Sequence, residues 1–380
     1  MLRSLFLILL APVLCPQPHA DTLIVLPDGS GEFPTIQAAV DASSPGDIIL
    51  LGDGVFLGAG NRAVQIPDRQ LTIQSASGNP DRCIIDCETQ TFGLNVRTYN
   101  ADVVLRGFTI TRASGGALAV YCPRDGITVE DCVFLSNSAE WGGAVGDDSD
   151  NGHFIRCRFI GNSAISGGAY VASNWQGSLI HPTFEQCEFI GNSATDHGGA
   201  VFLEVIQVRS KMARDATFRD CLFFQNSSPG TSCVTFWATS PSFSGCTFAY
   251  NEATSDIGCW TCLGTPSNPP ISNCVFAFGT VGRAIDCDTQ CHPTLTCCDI
   301  FGNHGGNWVG VIADQQGTAG NLCADPLFCD PFAGDLHIEL GSPCAPDANP
   351  ECGLIGLLGV GCGSTPIQQC SWGRAKALFR

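Results

Sequence analysis

A Cys-x-Phe unit recurs along the middle of this chain at a nearly fixed interval, and that recurrence restricts the fold more than any other feature. The unit falls at Cys132–Phe134, Cys157–Phe159, Cys187–Phe189, Cys221–Phe223, Cys246–Phe248 and Cys274–Phe276. Cys298–Ile300 continues it, and Phe108–Ile110 looks like an earlier copy. Successive Cys positions are 25, 30, 34, 25, 28 and 24 residues apart, so the basal period is 24 to 25, with insertions in the second and third intervals. A fixed period of this size marks a stacked-repeat architecture. Cys and Phe stand two residues apart, so in a strand they share one face. Five residues past each Cys an Asn recurs, at Asn137, Asn162, Asn192, Asn226, Asn251 and Asn303. It falls where a turn is needed; Asn tolerates left-handed backbone and bonds to local backbone groups, and stacked Asn side chains can bond to one another. Gly-Gly-Ala follows at Gly142–Ala144, Gly167–Ala169 and Gly198–Ala200. Two glycines permit a sharp corner, and the small Ala opens the next strand facing inward. Strand, Asn turn, glycine corner and strand, repeated every 24 to 25 residues, describe a β-solenoid. The i, i+3, i+4 apolar spacing of a helical repeat is absent. At 24 to 28 residues each, the chain holds about a dozen coils.

The two ends depart from the repeat. Residues 34–42 carry Ile36, Ala39 and Val40 at helical spacing, with Pro34 before them and Ser43-Ser44-Pro45-Gly46 after. This predicts a short helix capping the open end of the solenoid, where unpaired strand edges would otherwise recruit other chains. From about Leu322 to residue 362 the sequence is rich in Cys, Pro and Gly and is expected to close the last coil. Residues 363–380 form a tail whose end, Ser371–Arg380, is basic. Residues 1–20 read as a signal peptide, with Arg3, the apolar run Leu5–Leu10 and Ala20 before the cut, so the protein is expected to be secreted or held at the cell surface. Cys15 raises a lipoprotein reading, but Leu14 before it is too bulky for that cleavage site. The apolar run is too short to span a bilayer, and no later segment is long enough.

Composition excludes some partners. The formal net charge is -18, which argues against nucleic acid, since phosphate binding needs concentrated Lys and Arg. It also opposes simple electrostatic capture of acidic polysaccharides, unless Ca²⁺ bridges the two. The chain has 23 Cys, and disulfides are the default for an exported protein. The repeat cysteines are a special case. Stacked residues of adjacent coils lie ~4.8 Å apart with side chains pointing the same way, which makes the disulfide torsion hard to reach. Cys132, Cys157, Cys187, Cys221, Cys246, Cys274 and Cys298 are therefore expected as buried thiols, with Cys233, Cys259 and Cys287 forming a second recurrent set 12 or 13 residues on. Disulfides are expected between Cys83 and Cys87 and among Cys323, Cys329, Cys344, Cys352 and Cys362.

Three stretches carry a family resemblance. Asp28–Asp41 resembles the amino-terminal capping region of pectinesterases and other pectin lyase-like proteins. The Phe-x-x-Asn and Gly-Gly-Ala units resemble the repeats of the chlamydial polymorphic outer-membrane proteins. Asp325-Pro-Leu-Phe328, Gly334–His337 and Gly341–Pro343 resemble the closing coil of bacterial secreted β-helix proteins. Together they imply an all-β, single-stranded, right-handed parallel β-helix over residues 21–362. That superfamily hosts lyases, hydrolases, esterases and adhesins, so the resemblance carries the fold further than the activity. The pectinesterase likeness stops after the cap, without the catalytic Asp-Phe-x-Phe-Gly segment. Of the polygalacturonase signatures only Asp147-Asp148 and His197-Gly198 are echoed, on what the spacing predicts to be different faces.

The candidate site residues are few. Asp147, Asp148 and Asp150 lie past a Gly-Gly-Ala corner and are the candidates for a Ca²⁺ site, although the spacing of a Ca²⁺ loop is absent and a solvated turn is the simpler reading. Trp175, Trp237 and Trp260 lie 18, 16 and 14 residues past their repeat Cys and are candidates to line one flank and stack on sugars, against the plainer alternative of packing under loops. The insertion Leu203–Ala216 carries Arg209, Lys211 and Arg214, candidates for ligand contacts from a loop walling a groove, with a solvated loop as the plainer reading. Cys259-x-x-Cys262 with Cys287, Cys291, His292, Cys297 and Cys298 has zinc-ligand chemistry, though disulfides suit the expected compartment better. No set of ionisable residues converges in the sequence as an active site. A non-catalytic solenoid binding a polysaccharide or cell-surface glycan is thus the expected function, with a polysaccharide lyase or glycoside hydrolase as the alternative.

Overall fold

The computed structural model describes residues 20–122, 126–149, 151–173, 181–204, 216–237, 239–253, 260–263 and 267–362. Residues 1–19, most of the segment expected to be a signal peptide, and the tail 363–380 lie outside these. The chain winds through three parallel sheets in turn. Sheet 1 has 11 strands, from Thr22–Val25 to Thr294–Thr296; sheet 2 has 10, from Gly54–Phe56 to Asp299–Phe301; sheet 3 has 9, from Val64–Ile66 to Ile285–Cys287. Each strand pairs in parallel with its equivalent in the next coil, as in Phe134↔Phe159 and Phe159↔Phe189. A smaller 4-stranded sheet, Ser163–Ser166, Ser193–His197, Ser227–Ser228 and Glu252–Ala253, fills the corner between sheets 2 and 3 in the middle coils. The result is a β-solenoid of nine complete coils with a partial coil at each end, fewer than the dozen expected because several coils carry insertions.

The repeat cysteines and phenylalanines set the core. Phe134, Phe159, Phe189, Phe223, Phe248 and Phe276 are buried and stack face to face, with centroids 5.1, 4.7, 4.8, 4.4 and 4.5 Å apart. A second stack, Phe154, Phe184, Phe218 and Phe243, runs up sheet 1 at 5.0, 4.8 and 4.7 Å and meets the first edge-on, for example Phe184 against Phe189 at 5.6 Å. Parallel strands ~4.8 Å apart hold identical rings at stacking distance, so one residue type repeated per coil yields a continuous aromatic column. The ladder cysteines are buried free thiols, as expected. Cys157, Cys187 and Cys221 donate to the carbonyls of Val129, Phe154 and Phe184 in the coil below, at 3.3, 3.3 and 3.4 Å.

The turn chemistry differs from the expectation at one point. The residue with left-handed backbone is not the recurrent Asn but the one before it: Ser136, Gly161, Gly191, Gln225 and Tyr250 all have φ near +55 to +61°. This frees the Asn for hydrogen bonding. Asn137, Asn162, Asn192, Asn226 and Asn251 form a buried ladder in which the Oδ1 of each of the last four accepts from the backbone N–H and the Nδ2 of the Asn in the preceding coil, and Asn137 Oδ1 accepts from the Ala113 N–H. Each Nδ2 also donates to a core carbonyl, such as Asn192 to Phe159 at 2.9 Å. The Gly-Gly-Ala corners behave as read. Gly142, Gly167 and Gly198 have φ between +62 and +67°. At the second glycine a side chain has no room, since a Cβ on Gly168 would come within 2.1 Å of the Gly199 carbonyl. Ala144, Ala169 and Ala200 are buried.

The amino-terminal cap is the helix Ile36–Ala42, whose Ile36, Ala39 and Val40 cover the first coils and whose N-cap Thr35 accepts from the Ala38 N–H. At the other end Trp308 and Ile312, the latter in the 3₁₀ helix Gly310–Gln315, cover the core. Leu322 still bridges Asp299 in parallel, but residues 323–362 are not stacked as a final coil. They double back along the outside of sheet 2 as an antiparallel pair, Phe328–Asp330 with Asp335–Ile338, followed by turns. The sequence reason is that sheet 2 is apolar on both faces: Ile190, Leu222, Phe224, Ala249, Val275 and Ala277 point outward and are covered by Leu336, Ile338, Ala345 and Ile355 of this strap.

One disulfide closes the strap on itself and a second joins it to the coils. Cys329–Cys362 (Cα–Cα 5.3 Å) falls within the expected terminal set. Cys352 pairs instead with Cys297, the turn residue beside the ladder, at 5.5 Å. Cys323 and Cys344 are free. The expected Cys83–Cys87 bond is absent, and both are buried thiols. Cys83 opens the strand Cys83–Asp86, so four extended residues separate the pair by ~13 Å, beyond the reach of a disulfide.

Candidate functional site

The outer face of sheet 3 gathers the side chains best suited to a ligand. Strand residues two and four places past the corner Ala point outward. Register aligns Ala119, Gly146, Val171, Phe202 and Thr235 in one outward column, of which Val171, Phe202 and Thr235 are buried. Arg97, Tyr121, Asp148, Ser173, Glu204 and Trp237 form the neighbouring column. From Tyr121 to Trp237 is four coil steps, ~19 Å.

Aromatic rings flank this strip. Tyr99, Trp141 and Trp237 are 50%, 45% and 42% exposed, a large apolar surface to leave in water. Tyr99 meets Tyr121 edge-on at 5.9 Å. His197 stacks on Phe202 at 5.3 Å and meets the edge of Trp237 at 6.3 Å. Trp141 and His197 share a register through Ser166. Between Trp141 and Val171, over Gly146, lies a depression of about 300 Å³, with Asp148 and Ser173 on its rim. Gly146 opens it by lacking a side chain; a Cβ there would find only the Trp141 carbonyl, at 3.8 Å.

The charged groups divide by face. Asp147 turns inward and is buried, where its carboxylate accepts the Tyr170 hydroxyl at 2.7 Å and the Ser149 N–H at 2.9 Å. Burial pushes its pKa up to about 6, opposed by the hydrogen bonds from Ser149 and Tyr170. Burial also raises Glu204, with the nearby His197 pulling the other way. His197 Nε2 lies 3.5 Å from Asp196, while its Nδ1 and the Ser149 and Ser166 hydroxyls are buried without a protein partner among the described residues.

The residues singled out in sequence are thus scattered. Asp147 and Asp148 are neighbours in extended chain and face opposite ways, so their carboxylates do not converge; Asp150 lies outside the described residues, among which no group of three metal-ligating side chains occurs. Trp237 sits on the strip. Trp260 does not continue its column, because register sets Trp260 opposite Val234 and Leu263 opposite Trp237. Trp175, Arg209, Lys211 and Arg214 lie outside the described residues. Cys297 is in a disulfide with Cys352, outside the group considered in sequence, Cys287 and Cys298 are free thiols and Cys291 is a buried thiol, while Cys259 and the side chain of Cys262 lie outside the described residues. Tyr99, Tyr121, Trp141, Phe202 and Glu204 were not singled out. Counting outward positions from each Gly-Gly-Ala finds Phe202 and Glu204; Trp141, just before the first corner, lacks such a signal.

Residues 186–204 match the Chlamydia polymorphic membrane protein repeat. One coil carries that repeat. It runs from the turn before Cys187 through Asn192 and the Gly198 corner to Glu204, so it ends on the strip. Comparison with curated proteins gave no match. Among solved structures, a pectate lyase, Pel9A, aligns over 76% of this chain and 71% of its own, at 16% identity and a TM-score of 0.45. The PL6 family alginate lyase AlyGC aligns over 72% of this chain at 12% identity and a TM-score of 0.43, and the chain spans 40% of it. A pectin methylesterase from carrot aligns over 82% of this chain and 92% of its own, at 11% identity and a TM-score of 0.38. No helix among the described residues is long and apolar enough to cross a membrane.

Proposed function

We propose that this chain is a surface-associated, non-catalytic solenoid that binds a linear polysaccharide along the outer face of sheet 3. The observation that carries the reading is the strip itself, in which exposed aromatic rings border a shallow depression and a run of polar groups over ~19 Å. Flat rings stack on the apolar faces of sugars, and carboxylates and hydroxyls take their hydroxyl groups. The coil spacing is close to the length of one pyranose ring, so each coil can meet one sugar. The polymorphic membrane protein repeat supports a place at the cell surface. Against catalysis, the acidic pair Asp147-Asp148 is split between core and surface, and glycoside hydrolysis needs two carboxylates on one bond. A polysaccharide lyase or hydrolase is the second reading, favoured by His197 and Glu204 standing beside Trp237.

Affinity electrophoresis and calorimetry against a panel of linear glycans test the proposal. Trp141→Ala and Trp237→Ala are each expected to weaken binding about tenfold without changing the thermal midpoint. Absence of binding to every glycan would refute it. Unsaturated product or reducing ends released from pectin, polygalacturonate or alginate, with or without Ca²⁺, would move the assignment to the enzyme.

A further inference from the structure

The chemistry of the strip narrows the ligand. In the second outward column Asp148 and Glu204 stand two coils apart with Ser173 between them, ~10 Å along the solenoid axis. Asp196 adds a third carboxylate beside His197. Among the described residues of this column Arg97, at one end, carries the positive charge. Glu204 makes no ion pair among the described residues, although it is partly buried beside the aromatic cluster. An anionic polymer laid here would carry a carboxylate past each of these acids, and the repulsion is strongest where aromatic walls exclude water. A polymer with ammonium groups reverses every one of those interactions.

Spacing points the same way. In a β-1,4-linked chain successive pyranose rings are turned over, so a given substituent returns to the same side every second ring. That repeat is close to two coil spacings, the separation of Asp148 and Glu204. We propose, on the reading of sheet 3 as a glycan face, that it selects a β-1,4-linked glycan bearing free amino groups. Asp148 and Glu204 take the ammonium groups of alternate rings, while Trp141 and Trp237 stack on sugar faces.

The test uses the full chain and four hexasaccharides of matched length: glucosamine, N-acetylglucosamine, glucose (all β-1,4-linked) and galacturonate, titrated by calorimetry at pH 6 in low and high salt. The glucosamine oligomer is expected to bind at least tenfold more tightly than the other three and to lose most of that advantage in high salt. Glu204→Gln and Asp148→Asn are each expected to lower its affinity about fivefold, while Glu204→Asp retains part of it. All comparisons on the unsubstituted protein are independent of how the variants fold. If the neutral or galacturonate oligomer binds as tightly as glucosamine, the selectivity is wrong and the glycan face stands. If none binds, both fall. If glucosamine binds best but neither substitution alters it, the two carboxylates are not the selecting groups and the proposal is overturned.

Discussion

Replacing Asn192 by Ala tests whether the amide ladder holds the coils in register. The Asn192 side chain makes four buried hydrogen bonds. Its Oδ1 accepts from the Asn162 N–H at 3.0 Å and the Asn162 Nδ2 at 2.9 Å; its Nδ2 donates to the Phe159 carbonyl and to Asn226 Oδ1, both at 2.9 Å. Asn162 Nδ2 keeps its bond to the Phe134 carbonyl, and Asn226 Oδ1 keeps the Asn192 N–H. The Asn162 N–H loses its acceptor. One stranded buried donor costs ~1–3 kcal/mol, and the three other lost bonds ~0.5–1.5 kcal/mol each, so the loss is about 2.5 to 7.5 kcal/mol. Asn192→Asp is nearly isosteric yet is expected to do at least as much damage, because it aims an oxygen at the Phe159 carbonyl and Asn226 Oδ1. Urea unfolding followed by circular dichroism measures both. A loss under ~1 kcal/mol for the Ala variant, with an unchanged denaturant slope, would refute the claim that the ladder is a principal restraint.

Three further outcomes are expected. Asp147 and Asp299 have folded pKa values raised by burial from 3.8 to about 6, so the folded state favours their protonated forms. Their stabilising effect is complete below about pH 4 and lost as pH rises through 6, at up to ~3 kcal/mol each; the urea midpoint should therefore fall between pH 4 and 7, and Asp147→Asn should flatten that fall. Maleimide labelling of the native protein should modify the exposed Cys323 at once and spare the ladder, where burial holds the Cys132 thiol at about 12, and peptide mapping after denaturation should find the ladder thiols labelled without reduction. Gly168→Ala should lower stability by ~3 kcal/mol or more because its Cβ meets backbone of the next coil, whereas Gly146→Ala, open to the depression, should leave the thermal midpoint within about a degree or two.

The core was legible because it repeats. Cys-x-Phe and the Asn five residues on are each reused at the same place in every coil, so one register explains them all. The second phenylalanine stack was equally present, three residues before Cys157, Cys187, Cys221 and Cys246, with the same steps as those Cys, and so was legible in the same register although the sequence reading did not single it out. The strap was read as a last coil because its Cys, Pro and Gly content signals turns without saying where they dock; that depends on the outward apolar residues of sheet 2, which lie far earlier in the chain, between Ile190 and Ala277. The face of sheet 3 was the least legible part. Its residues differ from coil to coil, and only three-dimensional register brings Tyr121, Asp148, Glu204 and Trp237 into one line.

The seven ladder thiols have a consequence for how the molecule is made. In the unfolded chain each lies 24 to 34 residues from the next, an easy loop to close, and under oxidising conditions any two can join. In the finished solenoid they are sealed among phenylalanine rings, out of reach of oxidants and of each other's favourable torsion. Winding and oxidation therefore compete in time. A chain that zips coil upon coil delivers its sulfurs reduced and leaves Cys297, Cys329, Cys352 and Cys362 to be locked last; a chain that hesitates is stapled across its own core and cannot wind again until it is reduced.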